Sequence, residues 1–431
     1  MDTYNKENHK AIKRLSDNAI KELRPHFLKR DEISEGNQRK VMASFKKHQI
    51  SDFHFHGSTG YGYDDTGRDT LEKVYADVFG AEAGLVRPQI VSGTHAISTA
   101  LFGVLRPGDE LLYITGDPYD TLEEVIGLRG EASGSLKDFG ITYASVALKE
   151  GKTDPEKIKS SITKKTKVIG IQRSCGYADR PSFFVEEIKA MIDLVKDINP
   201  DLVVFVDNCY GEFVETIEPC NVGADLMAGS LIKNPGGGIV KTGGYLVGRT
   251  DLIDQCANRL AAPGIGSEGG ASLYSLLEMY QGFFLAPHVV NQAVKGAMFT
   301  SKLLEEAGMV TTPHWTEERT DLIQSVTFPN REMMVAFCQA IQGASPVDAH
   351  VMPQPSYMPG YADDVIMAAG TFIQGASIEL SADGPLRAPY RAYVQGGLTF
   401  EHVKIGVSEA LLSLMEQNLL TLNDKKTING Q

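Results

Sequence analysis

The 431-residue sequence contains no apolar run approaching the roughly 18 to 20 residues that a membrane-spanning helix needs, and its first ten residues are polar from the outset. Neither a spanning segment nor an export signal is expected. Cysteine is scarce: Cys175, Cys209, Cys220, Cys256 and Cys338 are scattered and never form a C-x-x-C pair, so no disulfide framework or thiolate zinc site is expected. The chain reads as cytosolic, with reduced thiols. Positive charge is also in deficit. The 42 Lys and Arg stand against 55 Asp and Glu, a formal net charge of −13, which argues against a partner made of nucleic acid. Internal repeats and low-complexity stretches are missing, and the composition removes disordered chains, collagen and coiled coils. What is present is an ordinary globular composition, 42% apolar, long enough for two to three domains or for one large α/β domain with a smaller partner.

The first fifty residues predict a helical arm, with Ile12, Leu15, Ala19, Ile20, Leu23 and Phe27 at three-to-four spacing among charges. Residues 57–68 form an aperiodic loop of Gly, Tyr, Asp and Thr. A helix follows, bearing Leu71, Val74, Tyr75, Val78 and Phe79 on one face and ending at Gly80. Strands and helices then alternate: a short strand end at 89–92, strands at 110–115, 168–172, 202–206, 226–230 and 244–247, and helices at 96–105 and 184–198. Short apolar runs separated by helices predict a mostly parallel sheet covered on both faces. From about residue 286 the pattern becomes a long helix to 304, strands at 322–328 and 378–381, and helices at 333–341 and 400–420, a smaller α+β domain. The expected segments are an arm over 1–50, a large α/β domain over 51–290 and a small domain over 291–431.

Three features carry chemistry. Ser92-Gly93-Thr94-His95 stands between a strand and a helix, where orphan N–H groups and hydroxyls favour a phosphate. A serine cap with no ligand would read the same way. Asp207 ends the apolar run 202–206, at the edge of an open α/β sheet where ligands bind, although Asp207-Asn208 also has turn chemistry. Lys233 follows the strand end Ser230 and precedes Asn234-Pro235 and the run Gly236, Gly237, Gly238, whose missing side chains imply that something lies close to the backbone. A lysine that condenses with an aldehyde, a carboxylate that faces a pyridine nitrogen and a helix N-terminus that holds a phosphate are the parts a pyridoxal 5′-phosphate enzyme needs.

The chain resembles the fold-type I pyridoxal-phosphate enzymes of the Cys/Met metabolism group, and within it the methionine gamma-lyase-like proteins also called aluminium resistance proteins. The stretches that carry the resemblance are F-H-G-S-T-G-Y-G-Y-D-D-T-G-R (55–68), S-G-T-H-A (92–96), F-V-D-N-C-Y-G-E-F (205–213) and G-S-L-I-K-N-P-G-G-G (229–238). The resemblance implies an aspartate aminotransferase-like large domain and a cytoplasmic homodimer or homotetramer with shared active sites. It makes Lys233 the cofactor lysine, Asp207 the partner of the ring nitrogen, and Ser92, Gly93, Thr94 and Ser230 the phosphate contacts, with His95 beside them. Tyr119 is the ring-stacking, acid–base tyrosine, and Arg391, or the nearby Arg387, binds the substrate carboxylate. Tyr61 and Tyr63 are the candidates for a tyrosine that reaches into a neighbouring subunit. The activity implied is elimination of a sulfur leaving group from Cβ or Cγ of an amino acid.

Two positions depart from the family pattern. The arginine expected two residues after the reaching tyrosine appears only at Arg68, and Ile232 replaces the threonine that usually precedes the lysine. Arg173 and Glu212 receive no role. Other readings fit some of the same residues: an aminotransferase or aldolase-type activity, or a cofactor-binding stress or regulatory protein without catalysis. A metal hydrolase built on His54 and His56, two residues apart on a strand, lacks further ligands at later strand ends, so no metal is expected.

Overall fold

A computed structural model describes residues 3–131, 133–358, 361 and 363–422. The chain opens on α1 (Thr3–Lys47), a helix of 45 residues. Two compact units form, one of Met1–Glu32 with Val289–Gln431 and one of Ile33–His288, so α1 is divided between them.

In the unit of residues 33–288 the elements are α2 (Thr66–Phe79), β1 (Ala83–Arg87), α3 (Gly93–Val104), β2 (Glu110–Tyr113), α4 (Asp120–Ile126), β3 (Thr142–Ser145), α5 (Pro155–Ser161), β4 (Thr166–Gln172), α6 (Val185–Ile198), β5 (Val203–Asp207), β6 (Leu226–Ser230), β7 (Gly244–Gly248), α7 (Thr250–Leu260) and the start of α8 (Leu276–Glu306). The seven strands are ordered β1-β7-β6-β5-β4-β2-β3. Strands β2 to β6 run parallel, and β7 runs against both β6 and β1. Every residue of β5 and β6 is buried, because helices cover both faces of a parallel sheet, and this is why β5 reads as an unbroken apolar run. Helix α3 starts where Ser92 Oγ accepts the His95 N–H at 3.0 Å, and it buries Ala96, Ile97, Ala100, Leu101 and Val104. Gly80 ends α2 in the left-handed region at φ 72°, where an added Cβ would lie 1.9 Å from Asn221 Nδ2.

The other unit contains the rest of α8, β8 (Val310–Thr312), β9 (Gln324–Thr327), α9 (Arg331–Gly343), β10 (Val365–Ala368), β11 (Ser381–Pro385), β12 (Arg391–Gln395) and α10 (Phe400–Glu416). Its five strands form an antiparallel sheet in the order β10-β11-β12-β9-β8, with α9 packed on β10, β11, β12 and α10. The architecture is therefore mixed α/β, a large mostly parallel sheet and a separate antiparallel one.

Several expected boundaries move. The segment 89–92 is a turn ending in the α3 cap, and the strand before it is Ala83–Arg87. Helix α8 begins ten residues before position 286, because Pro287, which signals a helix start in sequence, lies inside it and leaves the Phe283 carbonyl without its amide partner. The strand expected at 378–381 begins where that range ends, at Ser381. His54 and His56 lie in and just after a 3₁₀ turn, Asp52–Phe55, not on a strand; His54 Nδ1 accepts the Ser51 N–H and His56 Nδ1 meets the Phe53 carbonyl.

Candidate active site

The C-terminal ends of neighbouring parallel strands bring the candidate residues together. Asp207 is the last residue of β5, level with Gln172 at the end of β4 and Ala228 of β6. Two residues beyond Ala228, β6 ends at Ser230, and Lys233 follows at the head of a 3₁₀ turn, Asn234–Gly236. Tyr119 caps α4, and its N–H donates to Gln172 Oε1 at 3.0 Å. Its hydroxyl shares a 2.9 Å hydrogen bond with Thr94 Oγ1 in the first turn of α3. Thus Ser92, Gly93, Thr94, Tyr119, Asp207, Ser230 and Lys233 all belong to the unit of residues 33–288, at one sheet edge.

Burial dominates the electrostatics. It pushes the Asp207 carboxyl up, while the charge of Lys233 and the Cys209 N–H, 3.1 Å from Oδ1, pull it back part of the way. At Lys233 burial opposes the ammonium, but its electrostatic interactions with Cys209, Tyr210, Asp207 and Tyr119 outweigh that and hold the amine above the ordinary lysine range. Burial, and then Asp207, push the Tyr119 phenol up, so at neutral pH it is a proton donor. Burial likewise keeps Cys209 a thiol. Glu212, fully buried, is pushed up to about 8 by desolvation against the pull of the Tyr245 hydroxyl, which donates to Oε1 at 2.7 Å. It carries a proton at neutral pH.

The loop after β5 connects these groups. Arg173, fully buried, places Nη1 2.8 Å from Asn208 Oδ1 and 3.1 Å from Glu218 Oε2, with Nη2 2.8 Å from Glu215 Oε1. Asn234, the neighbour of Lys233, donates to the Glu212 carbonyl at 2.9 Å. The Lys233 Nζ lies 3.9 Å from the centre of the Tyr210 ring.

Other expected residues lie elsewhere or are otherwise engaged. His95 gives its N–H to Ser92 Oγ and accepts the Val91 N–H at Nδ1; burial, then Arg259, hold its pKa down, so the ring is neutral. Tyr61 and Tyr63 are exposed, 77% and 54%, and stack on each other at 5.4 Å, beside a hollow of about 360 Å³ that Arg87 and Gln89 also line. Arg68 is buried, with Nη1 on the Gly62 and Gly270 carbonyls and Nε on Asp69, so it braces the aromatic loop. Arg391 and Arg387 belong to the other unit. Arg391 is half-buried on β12, with Nε 3.4 Å from Thr327 Oγ1, and Arg387 is exposed and paired with Asp363 at 3.1 Å. The glycines after Lys233 do have something close to their backbone: α8. A Cβ on Gly237 would lie 2.4 Å from the Gly282 carbonyl, so helix packing accounts for that signal and a ligand is not needed.

The sequence reading missed Gln172, Cys209 and Tyr210. Gln172 was findable, since it ends an expected strand just as Asp207 does. Tyr210 carried no comparable signal, because its contact depends on a left-handed backbone that sequence does not announce.

The sequence profile of the family described as methionine gamma-lyase matches residues 12–415. The chain belongs to the methionine gamma-lyase family. It is 69% identical over 392 residues to the uncharacterized protein YnbB of Bacillus subtilis, covering 90% of this chain and 93% of that one. A solved structure from Listeria monocytogenes, provisionally assigned as a cystathionine beta-lyase involved in aluminium resistance, is 65% identical with a TM-score of 0.92, covering 93% of this chain and 99% of that one. The pyridoxal-5′-phosphate-dependent protein YhfS of Escherichia coli, 18% identical, shares the fold with a TM-score of 0.58 over 89% of this chain and 97% of that one.

The fold is that of the fold-type I pyridoxal-phosphate enzymes, and the family cofactor is pyridoxal 5′-phosphate. The residues fit it. Ser230 Oγ is buried with no hydrogen-bond partner, and Gly93 keeps the space before it open: a Cβ there would lie 3.2 Å from Cys209 Sγ and 3.5 Å from Ser230 Cβ. A phosphate would take up that hydroxyl together with the Gly93 and Thr94 N–H groups, which have no acceptor inside the helix. Among the described residues no cluster of three metal-type ligands occurs, and no helix is long and apolar enough to cross a membrane.

Proposed function

We propose that this methionine gamma-lyase family member is a carbon–sulfur lyase that eliminates a sulfur leaving group from Cβ or Cγ of a sulfur amino acid. The observation that carries the reading is the placement of a buried carboxyl and a lysine at the ends of adjoining parallel strands, Asp207 at the end of β5 and Lys233 after β6. The family and the provisional cystathionine beta-lyase assignment of the Listeria protein support the reaction class. When bound, pyridoxal 5′-phosphate supplies an electron sink for the pair left behind at the substrate Cα.

The protein's own residues do the rest. Lys233 Nζ takes the Cα proton, and in a γ-elimination it must also serve Cβ, one carbon further on. Asp207 favours the protonated ring nitrogen, because a negative charge nearby raises the pKa of a cation. Tyr119, held as a phenol by burial and steered by Thr94, donates a proton to the departing sulfur. The α3 N-terminus and Ser230 bind the phosphate, so a chain of net charge −13 meets its anionic ligand largely with backbone dipoles. Arg391, or the nearby Arg387, receives the substrate carboxylate, for which a bidentate guanidinium is suited. The exposed Tyr61 and Tyr63 reach a second copy of the chain, which makes the working unit a homodimer or larger.

The test is spectroscopic, then chemical. The purified protein should show a visible cofactor band that borohydride removes, and Lys233→Ala should lack it; a reducible band that survives the substitution refutes the role of Lys233. With a panel of sulfur amino acids, release of a thiol and a 2-oxo acid is expected, whereas stoichiometric transfer of the amino group would replace the lyase with a transaminase.

A further inference from the structure

We infer that the face of the Tyr210 ring is the resting place of the Lys233 ammonium, and that Tyr210 is thereby a positioning residue that governs when this lysine bonds to the cofactor. Nζ lies 3.9 Å from the ring centroid, well inside the roughly 6 Å reach of a cation–π contact, and among the described residues it makes no ion pair. A lysine that alternates between holding the cofactor and moving a proton needs a defined place to wait, and the electron-rich face of a tyrosine provides one without a second formal charge.

The backbone shows that the placement is built in. Tyr210 has φ 73° and Phe213 φ 63°, left-handed values that residues of this bulk rarely adopt and that persist only where the surroundings over-determine them. Here they do. Arg173 fixes Asn208, Glu218 takes the Asn208 amide at 3.0 Å and the Phe213 N–H at 2.8 Å, and Asn234 holds the Glu212 carbonyl. Gly211 lets Arg173 pass beneath the loop: a Cβ there would meet its side chain at 2.6 Å. Because Asn234 directly follows Lys233, the lysine and the ring below it are tied to each other through one hydrogen bond. Arg173, Glu218 and Asn234 thus acquire a shared role, the support of Tyr210.

The groups that act on Lys233 are Asp207 from the end of β5, Cys209, Tyr210 and Glu212 from the following loop, and Tyr119 from the α4 cap, with Arg180 acting on Asp207. Replacing Tyr210 leaves Asp207, Cys209, Glu212 and Tyr119 in place, and comparing Phe with Leu at 210 separates the ring's share from that of the hydroxyl.

The inference rests on Lys233 being the cofactor lysine. The experiment uses the full-length chain freed of cofactor, to which pyridoxal 5′-phosphate is added while the growth of the bound-cofactor band is followed from pH 6 to 10. Capture needs the neutral amine, so the rate profile reports the ammonium of Lys233. Tyr210→Leu should move that profile down by about 0.4 to 1.5 pH units and speed capture near neutrality about two- to thirtyfold, whereas Tyr210→Phe, which keeps the ring and loses only the hydroxyl, should lie nearer the wild type than the Leu variant. A series of increasingly fluorinated phenylalanines at 210 retains the shape while draining the ring face, and should step from the Phe profile toward the Leu one, so the result survives a Leu variant that fails to fold. Superimposed profiles throughout the series, with the borohydride label mapped to Lys233, overturn the inference alone. A label on a different lysine overturns the role of Lys233 and the inference together.

Discussion

Replacing Glu212 by glutamine should make the protein more stable at alkaline pH and barely alter it at acid pH. Glu212 is fully buried; its Oε1 accepts the Tyr245 hydroxyl at 2.7 Å and its Oε2 has no partner. Desolvation raises the carboxyl from its ordinary 4.5 to about 8. A group whose pKa is raised on folding contributes its stability below the unfolded value and loses it as pH climbs to the folded one. At about 1.36 kcal/mol per pH unit, the wild type therefore gives up roughly 5 kcal/mol between pH 4.5 and 8 through this one residue, because the unfolded chain releases a proton that the folded chain retains. Glutamine keeps the oxygen that Tyr245 needs, replaces the acid O–H with an N–H and cannot ionise, so its contribution is independent of pH. The assay is urea unfolding of both proteins, cofactor removed, at steps from pH 4 to 9. Titrating groups not coupled to Glu212 cancel in the difference, which should grow in favour of the variant by several kcal/mol, most of it between pH 5 and 8. A difference that stays constant across that range would mean that Glu212 is ionised in the folded protein, and the reasoning would fall.

Other consequences are shorter to state. Asp207→Ala should weaken retention of the cofactor and lower turnover by about 10²-fold or more; unchanged catalysis would remove Asp207 from its role at the ring nitrogen. Gly93→Ala puts a methyl 3.2 Å from Cys209 Sγ in front of Ser230, and a cofactor titration should show the dissociation constant rising about tenfold, with the fold intact by circular dichroism. Arg173→Met strands the buried carboxylate of Glu218 and should cost about 3 to 5 kcal/mol in urea unfolding, while the added change Glu218→Leu should restore much of it. An unchanged midpoint in the single variant would show that the pair is not essential.

The strand ends that carry the candidate residues were more legible in the chain than the boundaries of some elements around them. Asp207 and Ser230 were legible because a fully buried parallel strand is one apolar run and the polar residue that ends it marks the sheet edge. The α3 cap was legible because Ser92-Gly93-Thr94-His95 is cap chemistry between a strand and a helix. The early start of α8 was hidden because a proline inside a helix is tolerated only through packing, and packing is not local. The glycine run after Lys233 announced close approach without naming the neighbour, which proved to be Gly282. Arg68 and Arg173 show the same limit: arginines in a sequence suggest anion binding, yet one is spent on backbone carbonyls of the aromatic loop and the other on buried carboxylates.

The sequence by itself determined the alternation of strand and helix, the family, and the residue types that suit a phosphate, a ring nitrogen and a labile proton, since these follow from periodicity and from short motifs. Tertiary structure alone decided the environment of each group. It placed Thr94 against Tyr119, buried Glu212 until it keeps its proton, and turned the backbone at Tyr210 into the left-handed region so that the ring meets Lys233. The reason is physical: identity fixes what a side chain can do, whereas its protonation state, its partner and its aim depend on dielectric and distance, which arise only when residues far apart in the chain pack together.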